Sequence, residues 1–443
     1  MTTLRITAAL LPDVALPVLA ALLLGGLPGA AAQARALPDE SAPSVELIGF
    51  AVLPASSFGP GPPSGQYGDD GRRAPQPRFA SQPVQGLSSV QPGPRPGTWW
   101  GLSDNGYALR WNSPDFRLVI HLFEAQPLRR EVRVLQRIEL RDPQGLFPWR
   151  LAEENLPGRP LTGADVDPES LAVMPDGTFW IGDEVGPWLL HFSADGALLA
   201  PPVELPDDAG GALRSASHPA VLAGKSRARL RSSRGFESLA RAPDDDSRLL
   251  AMLEGSVEGD PPGVLRLYEF DPARGAWTGR RWHYRLQDPA HVASELARVA
   301  PTGASADGRA RRAAGATARY LVIERDETQG ESARFKRVLA FELSPSQAVA
   351  AEAATPADAS AAAGRLAVDL LRIDDPRGLA PYGRQFRFPF WTPECLVVLD
   401  ARTLLVVDDN NFPAAGGRSA TEPDPTEWIW LRARDRAGFA ASP

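Results

Sequence analysis

Acidic residues recur at matching places along this chain, and their spacing is its chemistry-bearing feature. Three apolar runs open with a glutamate: Glu169, Glu237 and Glu394. Apolar runs a little further on end in carboxylates or amides: Asp104 with Asn105, Asp183 with Glu184, Glu254, Glu324 with Asp326, and Asp408 through Asn411. Carboxylates gathered in one place repel and raise one another's pKa unless a cation neutralises them. Oxygen-only donors suit Ca²⁺ or Mg²⁺ rather than a soft metal. A cation held that way polarises a carbonyl or phosphoryl oxygen and acidifies bound water, which is the chemistry of ester and phosphoester hydrolysis. Asp and Asn after a strand also cap their own turns. Turn chemistry does not, however, demand a Glu at the start of a strand.

The expected cation ligands are Asp104, Glu169, Asp183, Glu184, Glu237, Glu254, Glu324, Glu394, Asp408 and Asn410. Glu169, Glu237 and Glu394 are expected to carry the catalysis, as ligands or with one as general base. Arg234 is the expected contact to a substrate anion, since a guanidinium binds phosphate bidentately, and Asn105 is expected beside it at the substrate. The cofactor expectation is Ca²⁺. Other schemes lack their residues: there is no G-x-S-x-G elbow, H-E-x-x-H pair or P-loop, and the five His show no ligand spacing.

The elements that must position these groups form an internal repeat. Segments 86–106, 169–186, 237–255, 295–300 resuming at 319–327, and 394–411 each read as an apolar strand, a turn, a second apolar strand and an acidic end. The second segment shows a whole unit, with strands expected at Ser170–Met174, Thr178–Ile181, Trp188–Phe192 and Ala197–Ala200 joined by Asp-Gly and Gly-Pro turns. That is a four-stranded meander, the blade of a β-propeller. The last segment lacks a good fourth strand, and the early run Val45–Leu53 is unassigned, so the two are expected to pair and close the ring. The insertions 141–165 and 201–234 leave room for a sixth unit. The expectation is therefore an all-β chain: a single β-propeller over residues 36–443, with five to six four-stranded blades closed by an N-terminal strand. Inner strands line the axial channel, so matching positions converge there.

Composition bounds the partners. The 443 residues carry a net charge of −7, which argues against nucleic acid, while Lys only at 225 and 336 beside many Arg reads as a coding bias. The lone Cys395 excludes an intrachain disulfide and thiolate metal clusters. Residues 1–34 read as a signal peptide: Arg5, an apolar run from Val14 to Leu24, then small-x-small patterns through Ala34. The expectation is a secreted or periplasmic monomer, free of the membrane after signal removal. The Ala-rich stretch 344–364 reads as an insertion or a short surface helix.

The stretches GLSDNG, DPESLAVMPDGTFWIGDE, RGFESLA with LLAMLEG, LVIERD and ECLVVLDARTLLVVDDNNF together resemble the phytase-like family, described as having esterase-like activity of phytase, over roughly residues 45–431. The resemblance implies an exported propeller that hydrolyses esters or phosphate monoesters. The chain departs from the calcium-dependent propeller phytases, whose signature is an Asp-Ala-x-Asp-Asp-Pro segment. Here the nearest text is Ala164-Asp165-Val166-Asp167-Pro168-Glu169, and Asp409-Asn410-Asn411 is followed by Phe412-Pro413. With few cations for phosphate, these departures weigh against phytate. Two further readings stay open: a non-catalytic, calcium-stabilised propeller that binds a ligand or an exported protein, and a lactone hydrolase.

Overall fold

In a computed structural model the described residues are 44–300, 317–351, 353, 361–435 and 438–440. The expected signal peptide and most of the stretch 301–318 lie outside them. Twenty principal strands are numbered here in chain order, and the described residues are nearly all β, with one short α-helix, Pro219–Leu222, among them.

The first sheet is β2 (Leu87–Pro92), β3 (Thr98–Ser103), β4 (Val119–Gln126) and β5 (Glu131–Glu139). The second is β6 (Pro168–Val173), β7 (Phe179–Asp183), β8 (Trp188–Phe192) and β9 (Val203–Glu204). The third is β10 (Phe236–Arg241), β11 (Leu249–Leu253), β12 (Val264–Asp271) and β13 (Ala276–Arg285). The fourth is β14 (Val292–Arg298), β15 (Ala318–Arg325), β16 (Lys336–Leu343) and β17 (Arg365–Asp369). The last consists of β18 (Thr392–Asp400), β19 (Thr403–Asp409) and β20 (Thr426–Ala433), with β1 (Val45–Leu53) antiparallel along β20 from Val45 opposite Ala433 to Leu53 opposite Thr426. A single parallel pair, Val52 with Glu131, joins β1 to β5. All these strand neighbours are antiparallel meanders except that pair.

The sheets are held together by side chains that alternate along each strand. In the second sheet Leu171, Ile181 and Leu190 pack toward the first sheet, against Leu102, Ile120 and Ile138. Their sequence neighbours Ala172, Trp180 and Leu189 pack the other way, against Leu239, Ala251 and Tyr268 of the third. The period of two thus supplies two apolar faces per sheet, which is why these strands are near-continuous apolar runs. Corresponding cores lie between the third and fourth sheets, the fourth and last, and the last and first. The first strands β2, β6, β10, β14 and β18 touch one another in a closed cycle. The architecture is propeller-like.

Three sequence expectations differ in detail. The fourth strand of the second sheet is Val203–Glu204 rather than Ala197–Ala200. Leu198 is drawn into the core between the first two sheets and makes only a bridge to Phe192. The insertions 141–165 and 201–234 form no further four-stranded sheet among the described residues. In the Ala-rich stretch, Val349–Ala350 and Ala362–Ala363 are short strands on β13, and residues 354–360 lie outside the described set.

Candidate metal and active centre

Every first strand is interrupted at the same point. The pairing register shifts between Leu87 and Ser89, Pro168 and Ser170, Phe236 and Ser238, Ala293 and Leu296, and Pro393 and Cys395. A β-bulge leaves a residue out of the ladder and re-aims its side chain. The bulged residues are Ser88, Glu169, Glu237 and Glu394, and Ser294-Glu295 spans the break in the fourth sheet. In three sheets the residue after the bulge ties the strand to another sheet: Ser170 Oγ donates to Phe236 O at 3.0 Å and Cys395 Sγ to Leu87 O at 3.2 Å in the neighbouring sheet, and Ser89 Oγ reaches Glu295 Oε2 of the fourth sheet at 2.8 Å. Glu295 therefore occupies the tying position, and Ser294 the one that carries Glu elsewhere.

The ends of the second strands supply the other groups. Ser103, Asp183, Leu253, Glu324 and Asp408 are the residues paired across from the bulge, and Asp104, Glu184, Glu254, Arg325 and Asp409 follow them. The first member of each acidic pair turns to local partners. Asp183 accepts from the Asp167 and Gly186 amides at 2.8 and 2.7 Å. Glu324 is taken by Tyr284 Oη, the Gln287 amide and His291 Nδ1 at 3.0, 2.8 and 2.8 Å. Asp408 accepts from the Glu427 amide at 2.6 Å. Asn410 donates to Gln85 Oε1 and Asp424 O, at 2.7 and 2.8 Å. Of the expected ligands, Asp104, Asp183, Glu324, Asp408 and Asn410 lie outside the carboxylate triads; strand parity points the last four away, and Asp104 accepts from the Gly106 amide at 2.8 Å.

The clusters consist of three overlapping triads, each with ligand oxygens within 4.8 Å of one another: Asp167, Glu169 and Glu184; Glu169, Glu237 and Glu394; and Glu184, Glu237 and Glu254. All six are buried. Burial pushes Glu169, Glu184, Glu237 and Glu394 well above the ordinary carboxylate range, and their mutual charges push them further. Burial likewise raises Asp409, to about 6. The half-buried Asp104 is raised by desolvation and then by Asp409 and Asp167. Asp167 is raised by desolvation, and its carboxylate lies within 4.8 Å of those of Glu169 and Glu184.

Few cations offset this charge. Arg325 Nη2 lies 3.4 Å from Glu254 Oε1 and 3.3 Å from Glu394 Oε1. Arg234, expected at a substrate anion, is instead committed to Glu254 Oε2 at 2.6 Å and Glu327 Oε1 at 2.8 Å. Asn105 Nδ2 donates to Asp167 Oδ2 at 2.6 Å, and its amide to Asp167 Oδ1 at 3.2 Å. Asn105 Oδ1 and Ser88 Oγ are buried without a hydrogen-bond partner. An all-oxygen donor set, an excess of negative charge and spare buried oxygens fit a hard divalent cation. Sequence reasoning missed Asp167, Asp409 and the central role of Arg325. The signal available for the last two was the alignment of the second-strand ends, which places Asp409 and Arg325 level with Glu184 and Glu254.

No curated protein matches the chain in sequence. Among solved structures it is similar to a luciferin-regenerating enzyme at 10% identity over 90% of this chain and 97% of that one, with a TM-score of 0.35. It is similar to a GH43 β-1,3-galactosidase with galactodeoxynojirimycin at 9% identity over 85% and 94%, with a TM-score of 0.38. The corresponding values for the calcium-binding protein regucalcin of Agrobacterium tumefaciens are 11%, 81% and 95%, and 0.33. Residues 82–412, which hold all three carboxylate triads, match the family described as Phytase-like, esterase-like activity of phytase, and the chain belongs to that family.

Proposed function

We propose that this phytase-like chain is an exported, five-bladed propeller, closed by β1, that hydrolyses a small-molecule ester or phosphate monoester at a Ca²⁺-loaded centre in its channel. The observation that carries this is the set of three buried triads sharing Glu169, Glu184 and Glu237. Uncompensated carboxylates are costly to bury, and a cation offsets that cost. Asp167, Glu169, Glu184, Glu237, Glu254 and Glu394 would hold it. When bound, Ca²⁺ supplies Lewis acidity toward the substrate oxygen and lowers the pKa of water. The chain's own groups do the rest. Asn105 fixes both oxygens of Asp167. Arg325 orients Glu254 and Glu394 from the far side. Glu184 lines a cleft open to solvent, where its carboxylate oxygen can take a proton from attacking water and return it to the leaving alcohol.

The test is hydrolysis of an aryl phosphate, phytate and a short-chain aryl ester by the mature form, with Ca²⁺ and with EDTA. Turnover with Ca²⁺ that EDTA abolishes is expected. Turnover that survives EDTA removes the cation from the reaction. A calcium-stabilised binding propeller is the second reading, favoured by the two guanidiniums that already engage Glu254 and Glu394. It predicts a melting temperature raised by Ca²⁺ with no turnover.

Stability separates protons from cation. The folded metal-free protein holds protons on these carboxyls at a pH where the unfolded chain, with carboxylate pKa near 4, has lost them. That contribution is complete below about pH 4 and is lost as pH rises through the folded values, including about 6 for Asp409. The gain in melting temperature on adding Ca²⁺ is therefore expected to grow from about pH 4 to about pH 7. At a hundredfold excess over Kd the cation adds about 2.7 kcal/mol of stability. A gain independent of pH would show that the cation binds elsewhere.

A further inference from the structure

A cleft of about 440 Å³ opens beside the carboxylate centre, a volume within the range of small-molecule pockets. Asn105, Asp167 and Glu184 line it on one side, where it meets the first triad. Leu109, Trp111, Val185 and Leu222 give its other walls an apolar surface, beside Arg110, Ser217, Ser232 and Ser233. Trp111 and Leu222 are 56% and 67% exposed, two large apolar side chains presented to solvent at one place. The Trp111 indole N–H is already satisfied by Asp69 O at 2.7 Å, which leaves the ring as an apolar surface. Leu222 ends the short helix Pro219–Leu222 and makes no core contact that would explain its presence.

The charge of the cleft is selective. Among the described residues that line it, Arg110 is the one cation. Its guanidinium donates to Ala164 O at 2.9 and 2.7 Å and to Ser217 O at 2.9 Å, so it fixes two loops. Apart from a cation held by the triad, a phosphate entering here would meet Asp167 and Glu184, and the Arg110 guanidinium is already committed to backbone carbonyls.

We propose that the cleft between Trp111 and Leu222 receives the apolar part of an uncharged ester, so that the substrate class is a neutral carboxylic ester and not a phosphorylated polyanion. This deepens the hydrolase reading above and rests on it. The ester carbonyl lies toward Asp167 and Glu184, and the acyl or alkyl chain runs outward along the Trp111 ring and Leu222.

Binding and turnover test the two readings separately. Benzyl propyl ketone, the non-hydrolysable isostere of phenyl butyrate, is titrated calorimetrically into the full mature chain with Ca²⁺ present, and into Trp111→Ala and Leu222→Asp. Leu222 is exposed, so the second variant is expected to keep the wild-type melting temperature. Saturable binding weakened about tenfold in each variant is expected, the equivalent of losing one well-buried apolar contact. No saturable binding, affinity unchanged in both variants, or displacement of the ketone by phytate would overturn the proposal. Turnover of phenyl butyrate reports on the hydrolase reading alone. Variant-sensitive ketone binding without turnover keeps the cleft as an ester-binding site and removes catalysis. Turnover with variant-insensitive binding keeps the hydrolase and removes this cleft.

Discussion

Arg325→Ala is expected to destabilise the metal-free protein by about 3–5 kcal/mol, the cost of removing one partner from a buried charge pair. Arg325 is 4% exposed, and its guanidinium reaches Ser294 Oγ, Glu254 and Glu394 at once. It stands where the other second strands place a carboxylate, so it is the one positive member of that ring. Glu254 keeps Arg234 after the substitution, but Glu394 has no second cation within salt-bridge distance among the described residues. Glu394, already pushed up by burial, loses the guanidinium that favours its charged form. Added Ca²⁺ replaces part of the lost positive charge, so the deficit is expected to shrink when the cation is present. Chemical denaturation in EDTA and in Ca²⁺ measures both. A variant as stable as wild type in EDTA would mean that the carboxyls around Arg325 are already neutral and that the guanidinium is not what balances them.

Glu169→Gln is expected to lower Ca²⁺-dependent turnover by about 10²–10⁴-fold, the usual worth of a group that moves a proton or organises the reacting centre. Glu169 belongs to two of the three triads, so its loss loosens both. The same change is expected to stabilise the metal-free protein. Glutamine keeps the shape of the side chain, while a buried carboxyl raised by Asp167, Glu237, Glu184 and Glu394 disappears. Opposite signs for activity and metal-free stability are the mark of a site held under electrostatic tension. Turnover and melting curves with and without Ca²⁺ on this variant decide the matter. Full turnover would move the chemistry away from the triads. Lost turnover together with lost metal-free stability would assign Glu169 a structural role in the bulge.

The bulge links fold to site. It is the same local break in each first strand, and in three of the sheets it turns a glutamate out of the ladder into the shared centre. A strand without the bulge would keep the side chain in register with the core-facing alternation. In the fourth sheet the order of the two residues is exchanged, Ser294 before Glu295, and Glu295 hydrogen-bonds Ser89 instead of joining a triad.

Local information in the sequence was enough for much of this. Apolar runs bounded by Asp-Gly and Pro turns mark the strands, because turn chemistry and alternation are properties of neighbouring residues. The recurrence of Glu169, Glu237 and Glu394 at the head of matching runs was equally legible, and the three carboxylates meet in one triad. What local information could not decide was direction. Asp183 and Glu184, or Asp408 and Asp409, are adjacent, and successive strand residues face opposite sides. Which one faces the centre depends on the register with a partner strand and on the bulge in it. Only the tertiary structure therefore sent Asp183, Glu324 and Asp408 to backbone and side-chain partners while turning Glu184, Arg325 and Asp409 inward. Asp167 joined the centre for a similar reason. It lies just before β6, and it is the backbone and side-chain amides of Asn105, which follows β3, that hold its carboxylate there. Those contacts cross from one sheet to the next, and no single repeat contains them.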